Sequence, residues 1–215
     1  MFDLDGTLID TVYEHVLAWS VALRSAGVMA SNWGIHRRIG MSGHALVRQM
    51  VREIGKEHRR VDVEDLEKKH DAEFNRVASR VRALPGAQDL LDRLTRMRVR
   101  WAIATTGGKR QTKKLLQRLR IPPKAVVVTG DDVAKAKPSP DVFVMAASRL
   151  NMPIDHCIVV GDSVWDMLAA GRRRALGVGL LSGGYSQEEL QQSGAFRVYA
   201  DPSDMLEHIE DLGIA

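Results

Sequence analysis

The spacing of apolar and polar positions changes character along the chain, and each change marks a different kind of element. Met1 to Leu4 is a very short apolar piece followed at once by Asp5-Gly6-Thr7, the pattern of a strand end entering a turn. From about Val12 to Arg82 apolar residues recur at helical spacing, through Val16, Trp19 and Leu23, then Leu46, Met50 and Ile54, then Leu66, Phe74, Val77 and Val81. No strand pattern interrupts this block. Leu84-Pro85-Gly86 punctuates the chain, and helical and β-type segments alternate beyond it. Strands are predicted over Val99–Ala104, Ala125–Thr129, Cys157–Val160, Gly177–Leu181 and Phe196–Tyr199. Crossover helices are predicted over Ala87–Met97, Lys109–Leu119, Pro140–Leu150, Trp165–Arg173 and Ser186–Gln192. Such alternation predicts an α/β fold with a Rossmann-like, doubly wound parallel sheet, interrupted after its first strand by an inserted helical cap domain. The core is then expected to comprise residues 1–11 and 84–215, and the cap residues 12–83.

Composition narrows the class without choosing a function. At 215 residues the chain is long enough for a full core plus a modest insert. Hydrophobic residues at 45% and charged residues at 27% match an ordinary globular chain and exclude a disordered or collagen-like one. No run approaches the roughly 18 to 20 apolar residues of a membrane span, and no basic-then-apolar leader opens the chain. The expectation is a cytoplasmic protein with no membrane partner. The lone cysteine, Cys157, has no intrachain disulfide partner and is expected to be a small buried strand residue. A formal charge of +4 leaves both anionic small molecules and nucleic acid open. The basic run Arg172-Arg173-Arg174 ends a predicted helix, zinc-finger spacing and an RNA-binding aromatic signature are both missing, and nucleic acid is not expected as a partner. The seven histidines lack metal-ligand spacing such as His-x-x-x-His.

In open parallel sheets ligands bind beyond the carboxyl ends of the strands. Those ends are where the polar residues fall here. Asp3 and Asp5 close the first strand, Thr105 and Thr106 the second, Asp131, Asp132 and Lys137 follow the third, and Asp162 and Asp166 follow the fourth. Asp131 and Asp132 also read as ordinary turn residues and are left out of the candidate set. Four strand ends thus deliver carboxylates, hydroxyls and an ammonium to one edge.

The motifs that hold these residues are Phe2-Asp3-Leu4-Asp5-Gly6-Thr7-Leu8, Ala104-Thr105-Thr106-Gly107, Lys137-Pro138-Ser139-Pro140-Asp141 and Gly161-Asp162-Ser163-Val164-Trp165-Asp166. In this order they resemble the four signatures of the haloacid dehalogenase-like hydrolases, in particular the capped phosphatases and their β-phosphoglucomutase-like relatives. The chemistry of the residues agrees. A carboxylate attacking phosphorus forms an acyl phosphate and splits one displacement into two; Asp3 is the candidate nucleophile. Asp5, two residues on, is placed to protonate the leaving oxygen and later to deprotonate water. A carboxylate approaching a phosphate dianion needs a cation between them, and an all-oxygen site suits Mg²⁺. The resemblance implies that Asp3, the Asp5 carbonyl and Asp162 would hold that ion. Asp166, one helical turn past Asp162, is expected to support them from behind or to ligate occasionally. Thr105 is the candidate donor to a phosphoryl oxygen, with Thr106 able to exchange roles, and Lys137 is preferred to Lys135 for neutralising charge and holding Asp3. Asp162 has a second reading as a helix cap, a duty Ser163 could equally perform.

A cap after the nucleophile loop can close over a site and read the leaving group. Its hinges are expected near Asp10-Thr11 and Leu84-Pro85-Gly86. The segment Arg37-Arg38-Ile39-Gly40-Met41-Ser42-Gly43-His44 joins two predicted helices, and in relatives such a loop faces the active site. Arg38, Ser42 and His44 are therefore candidate substrate-binding residues, with a plain surface loop as the other reading. Asp10-Thr11-Val12-Tyr13-Glu14-His15 with Ala18-Trp19 is similar to the first cap helix of β-phosphoglucomutases, which implies that His15 assists proton handling near Asp5. Against a mutase stand Gly43, where those enzymes have an arginine for a second phosphate, and Gly6-Thr7, more typical of phosphatases. The expected activity is Mg²⁺-dependent hydrolysis of a small phosphorylated metabolite by a monomer or small homo-oligomer. Two features depart from the family pattern. Only Met1 and Phe2 precede Asp3, where family members carry several apolar residues, so either the start at Met1 is too late or the central strand is short; and the loop between Thr129 and Lys137 is moderately long.

Overall fold

The computed structural model describes residues 1–55 and 61–214. Residues 56–60 of the predicted helical block, and the side chain of Ile54, lie outside that description. The chain divides into two compact units, Met1–Asp10 with Arg82–Ala215, and Thr11–Val81.

In the larger unit the strands are β1 (Ala102–Ala104), β2 (Val126–Val128), β3 (Ile158–Gly161), β4 (Leu176–Leu180) and β5 (Ala195–Tyr199). β1 pairs with β2, β3 with β4 and β4 with β5, every pair parallel. Residues 1–3 join the two groups. Phe2 donates to Ala102 O (2.8 Å) and accepts from Ala104 N (2.8 Å), while Asp3 donates to Val160 O (2.9 Å) and Met1 O accepts from Val160 N (2.8 Å). The order across the sheet is thus β2, β1, residues 1–3, β3, β4, β5, progressing outward in both directions from the chain's start. That is the doubly wound arrangement, and its switch point lies beside Asp3.

Every strand predicted from the sequence is present, with β1 shorter than its apolar run. The predicted strand from Val99 starts only at Ala102 because the preceding residues close a helix. Arg98 takes a left-handed φ of 59°, and Val99 N donates to Leu94 O (3.0 Å). The helices of this unit are Ala87–Arg96, Lys109–Leu115, Asp141–Arg149, Val164–Gly171, Gln187–Gln192 and Pro202–Glu207. The last was not predicted; Asp201 caps it by accepting from Ser203 N and Asp204 N, and Pro202 opens it. The core of the unit packs Val128, Phe143, Ala146, Val159 and Ala170, all essentially sealed from solvent.

The smaller unit is helical: α1 (Val12–Ser25), α2 (Asn32–His36), α3 (Gly43–Ile54) and α4 (Val63–Val77). Ser31, Ser42 and Asp62 cap α2, α3 and α4 through their side-chain oxygens. The predicted periodicity buries Val16, Trp19, Leu23, Leu46, Met50 and Leu66 together with Ile35 and Val47. Continuing the numbering, the helices of the larger unit are α5 to α10 in chain order. Among the described residues no helix is long and apolar enough to cross a membrane.

Candidate active site

Asp3 leaves the sheet at its switch point, where residues 1–3 lie between β1 and β3. Its carboxylate is buried, as are Lys137, Asp162 and Asp166. Lys137 Nζ donates to Asp3 Oδ1 and lies 2.7 Å from Asp166 Oδ1, an ammonium held between two carboxylates. The other oxygen of Asp166 accepts from Ser163 Oγ (2.6 Å) and Ser163 N (3.2 Å), a reciprocal cap at the start of α8. Asp162, following β3, accepts from Thr7 Oγ1 at 2.8 Å. Beyond β1, Thr105 Oγ1 lies 3.3 Å from Asp5 Oδ2 and accepts from Gly107 N at 3.0 Å. The Thr105 hydroxyl proton is therefore directed at the Asp5 carboxylate, and the loop that follows is turned back on the same oxygen.

Burial sets the electrostatics. It pushes the Asp3 carboxyl up to about 7; Lys137 pulls it back, while Asp166 and Asp5 push it further. Asp162 is raised well above the usual carboxylate range, first by burial and then by Asp166 and Asp3. For Lys137 burial disfavours the ammonium, but Asp166 and Asp3 outweigh it and hold it above the ordinary lysine range. Oxygens of Asp3, Asp162 and Asp166 come within 4.8 Å of one another. Several buried carboxylates around one ammonium form a hard, anionic, all-oxygen donor set. That chemistry fits Mg²⁺ and does not fit a soft, thiolate-seeking metal.

A family model for haloacid dehalogenase-like hydrolases matches residues 1–177. The chain belongs to that family. It is an enzyme of the hydrolase class with a parallel α/β core and an inserted helical cap. It is 30% identical over 179 residues to hexitol phosphatase A of Escherichia coli strain K12, covering 80% of this chain and 78% of that one. A solved hydrolase structure from Pseudomonas syringae is 46% identical, with a TM-score of 0.92 over 98% of this chain and 96% of that chain. A β-phosphoglucomutase structure from Clostridium difficile, 22% identical, superposes with a TM-score of 0.83 over 98% and 94% of the two chains, a likeness of fold.

Of the residues singled out in the sequence, the larger unit gathers Asp3, Asp5, Thr105, Lys137, Asp162 and Asp166. Lys137 is buried and Lys135 exposed. Asp162 does not cap α8, since Ser163 and Asp166 do. Thr106 is half-buried on the Thr105 loop, and Gly107 O of that loop accepts from Gly130 N at 3.0 Å. The remaining candidates lie in the helical unit with partners of their own. His15 Nδ1 is 2.9 Å from His70 Nε2, and its ring stacks on Phe74 at 4.1 Å. Arg38 donates to Gly34 O (2.6 Å) and pairs with Glu53. Ser42 Oγ accepts from Ala45 N (3.2 Å) as the cap of α3. His44 donates its backbone N–H to Glu67, whose carboxyl burial pushes up.

Three participants were missed. Thr7 and Ser163 each hold a site carboxylate, and both stood inside quoted motifs where a hydroxyl beside an aspartate was the available signal. The third is the turn after β4. Ser182 Oγ donates to Gly6 O at 2.6 Å, and a Cβ on Gly183 would fall 2.0 Å from Asp162 Oδ2. Only glycine lets that backbone approach Asp162 so closely. Gly183→Ala is accordingly expected to displace the Asp162 carboxylate and lower kcat by about 100-fold. Steady-state phosphate release, with a thermal melt to verify folding, checks it; an alanine variant within a few-fold of the parent removes Gly183 from the site.

Proposed function

We propose that this protein is a Mg²⁺-dependent phosphatase acting in the cytoplasm on a small phosphorylated metabolite, a sugar or polyol phosphate by class, through an aspartyl-phosphate at Asp3. Its reaction class is hydrolysis of phosphoric monoesters. The observation that carries the reading is Lys137 held between Asp3 and Asp166, beside Asp162, at the switch point of the sheet. The name of the hexitol phosphatase relative supports the substrate class.

In this reading the carboxylate oxygen of Asp3 not engaged by Lys137 attacks phosphorus, and the phosphoryl group passes to Asp3 as the ester oxygen leaves. Asp5 donates a proton to that oxygen and then takes one from the water that hydrolyses the acyl phosphate. Thr105 orients Asp5 through the 3.3 Å contact, so its first task is to aim the proton donor. Lys137 favours the ionised form of Asp3 against the effect of burial and compensates negative charge on the transferring group. Asp3, the carbonyl of Asp5 and Asp162 would hold the metal, with Asp166, whose two oxygens are engaged by Lys137 and Ser163, supporting them from behind. Bound Mg²⁺ would neutralise phosphoryl oxygens and relieve repulsion between the two anions.

Gly43 favours hydrolysis over mutase chemistry. A Cβ at this position would lie 2.8 Å from Trp19 Cζ2 and 2.9 Å from Glu67 Oε1, leaving no space for the arginine that β-phosphoglucomutases carry there. The deciding experiment incubates the protein with a panel of phosphorylated sugars, polyols and glycolate. A phosphatase releases inorganic phosphate without a bisphosphate activator, whereas a mutase interconverts isomers at constant ester phosphate. Chelation with EDTA is expected to abolish release and added Mg²⁺ to restore it. Undiminished turnover in the chelator removes the metal from the mechanism.

A further inference from the structure

The helical unit buries one side of α1 and leaves the other apolar. Val12, Val16, Trp19, Ala22 and Leu23 face inward. On the outer side Tyr13, Leu17 and Val21, spaced four residues apart, are 55%, 60% and 51% exposed. A surface helix in a monomer normally places polar residues on that face. The patch extends onto α2. Tyr13 and His36 stack with ring centroids 5.6 Å apart, so α2 lies alongside α1. Trp33, one turn before His36 on α2, is 74% exposed, and Met29, in the connecting segment, is 72% exposed.

Tyr13 and Trp33 alone leave on the order of 250 Å² of aromatic surface uncovered. Leu17, Val21 and Met29 enlarge a patch that already approaches the largest found on typical monomers, about 300–600 Å². It is of the scale that each half of a stable protein–protein interface requires, roughly 800 Å².

Charge identifies what fits it. Along the outer stripe, at spacings of three, four and three residues, stand Glu14, Leu17, Val21 and Arg24. The acid is at one end and the base at the other, and this order is its own complement when reversed. If two copies of α1 lie antiparallel about a two-fold axis, Glu14 meets Arg24 of the second copy at both ends, and Leu17 meets Val21 twice between them. The pairing is isologous, so it closes at two. No side-chain hydrogen bond or ion pair engages Glu14 or Arg24 among the described residues, and both suit the helix dipole where they stand. We propose that the α1–α2 face is a homodimer interface whose partner is a second copy of this chain, docked antiparallel along α1.

Sedimentation equilibrium of the full chain over a wide concentration range is expected to show a monomer–dimer equilibrium. Leu17→Glu, at an exposed position that the fold does not need, is expected to weaken the dimer about 100-fold by burying a charge twice. Glu14→Arg and Arg24→Glu each place like charges together at both ends and are expected to raise Kd about tenfold. The double variant restores opposite pairs and is expected to return within about threefold of the parent. A parent that stays monomeric at all concentrations overturns the proposal, and that outcome includes a face reserved for a different protein or a lipid surface. A dimer indifferent to Leu17→Glu places the interface elsewhere. Additive losses in the charge-reversal double variant reject the antiparallel pairing.

Discussion

Asp3→Asn is expected to reduce phosphate release by about 10⁴-fold or more while leaving the fold in place. The amide matches the carboxylate in size but cannot form an acyl phosphate, so the covalent route is lost outright. Losses of this order follow removal of a nucleophile elsewhere. The structure explains why stability survives. Asp3 is a carboxylate whose charge burial disfavours, with Asp166 and Asp5 adding to that pressure. Neutralising it removes a desolvated anion, and Lys137 keeps Asp166 at 2.7 Å as its counter-ion. Phosphate release under saturating substrate, read beside a thermal melt, provides the check. Turnover near the parent rate in the Asn variant rejects Asp3 as nucleophile and with it the aspartyl-phosphate.

The second large effect is on stability. Lys137→Met keeps most of the side chain's length and apolar stem but deletes the ammonium that Asp3 and Asp166 share. Removing one partner of a buried ion pair costs about 3–5 kcal/mol, because the remaining charges stay buried without compensation. Here two paired carboxylates are stranded, with Asp162 beside them. Lys137→Met is therefore expected to lose stability at the upper end of that range in urea unfolding, and to lose activity as well. Millimolar Mg²⁺ is expected to stabilise the variant, since a cation bound to the folded state shifts the folding equilibrium by mass action. An unfolding midpoint equal to the parent's would show that the ammonium is not what compensates these carboxylates.

Much of this arrangement was legible in the sequence, and the reasons can be given residue by residue. Apolar runs such as Cys157–Val160 report strands because alternation and branching are local properties. Polar residues just beyond such runs, Asp3, Thr105, Lys137 and Asp162, share an edge because parallel strands all end on the same side. The choice of Lys137 over Lys135 needed the structure only to show which side chain is buried. Other assignments depended on what surrounds a residue. Ser42 reads as a polar loop residue in the sequence, yet its hydroxyl caps α3. His15 reads as an isolated histidine in a helix, but lies 2.9 Å from His70, 55 positions further on. The predicted strand from Val99 gave way to the backbone hydrogen bond that closes α5. Propensity is a weak prior where a neighbouring element competes for the same backbone groups.

By itself, the sequence determined the alternation of strands and helices in the larger unit, the helical block inserted after the first strand, and the apolar runs beyond whose ends Asp3, Thr105, Lys137 and Asp162 stand. Each depends on short-range periodicity or on a residue's own chemistry. Only the tertiary structure decided how those groups are held: Thr7 on Asp162 across 155 positions, the oxygens of Asp166 facing Lys137 and Ser163, and the Gly183 turn against Asp162. It also decided that one face of α1 stays apolar and uncovered. These features arise from strand order and close packing between distant segments, which local spacing along a chain does not encode.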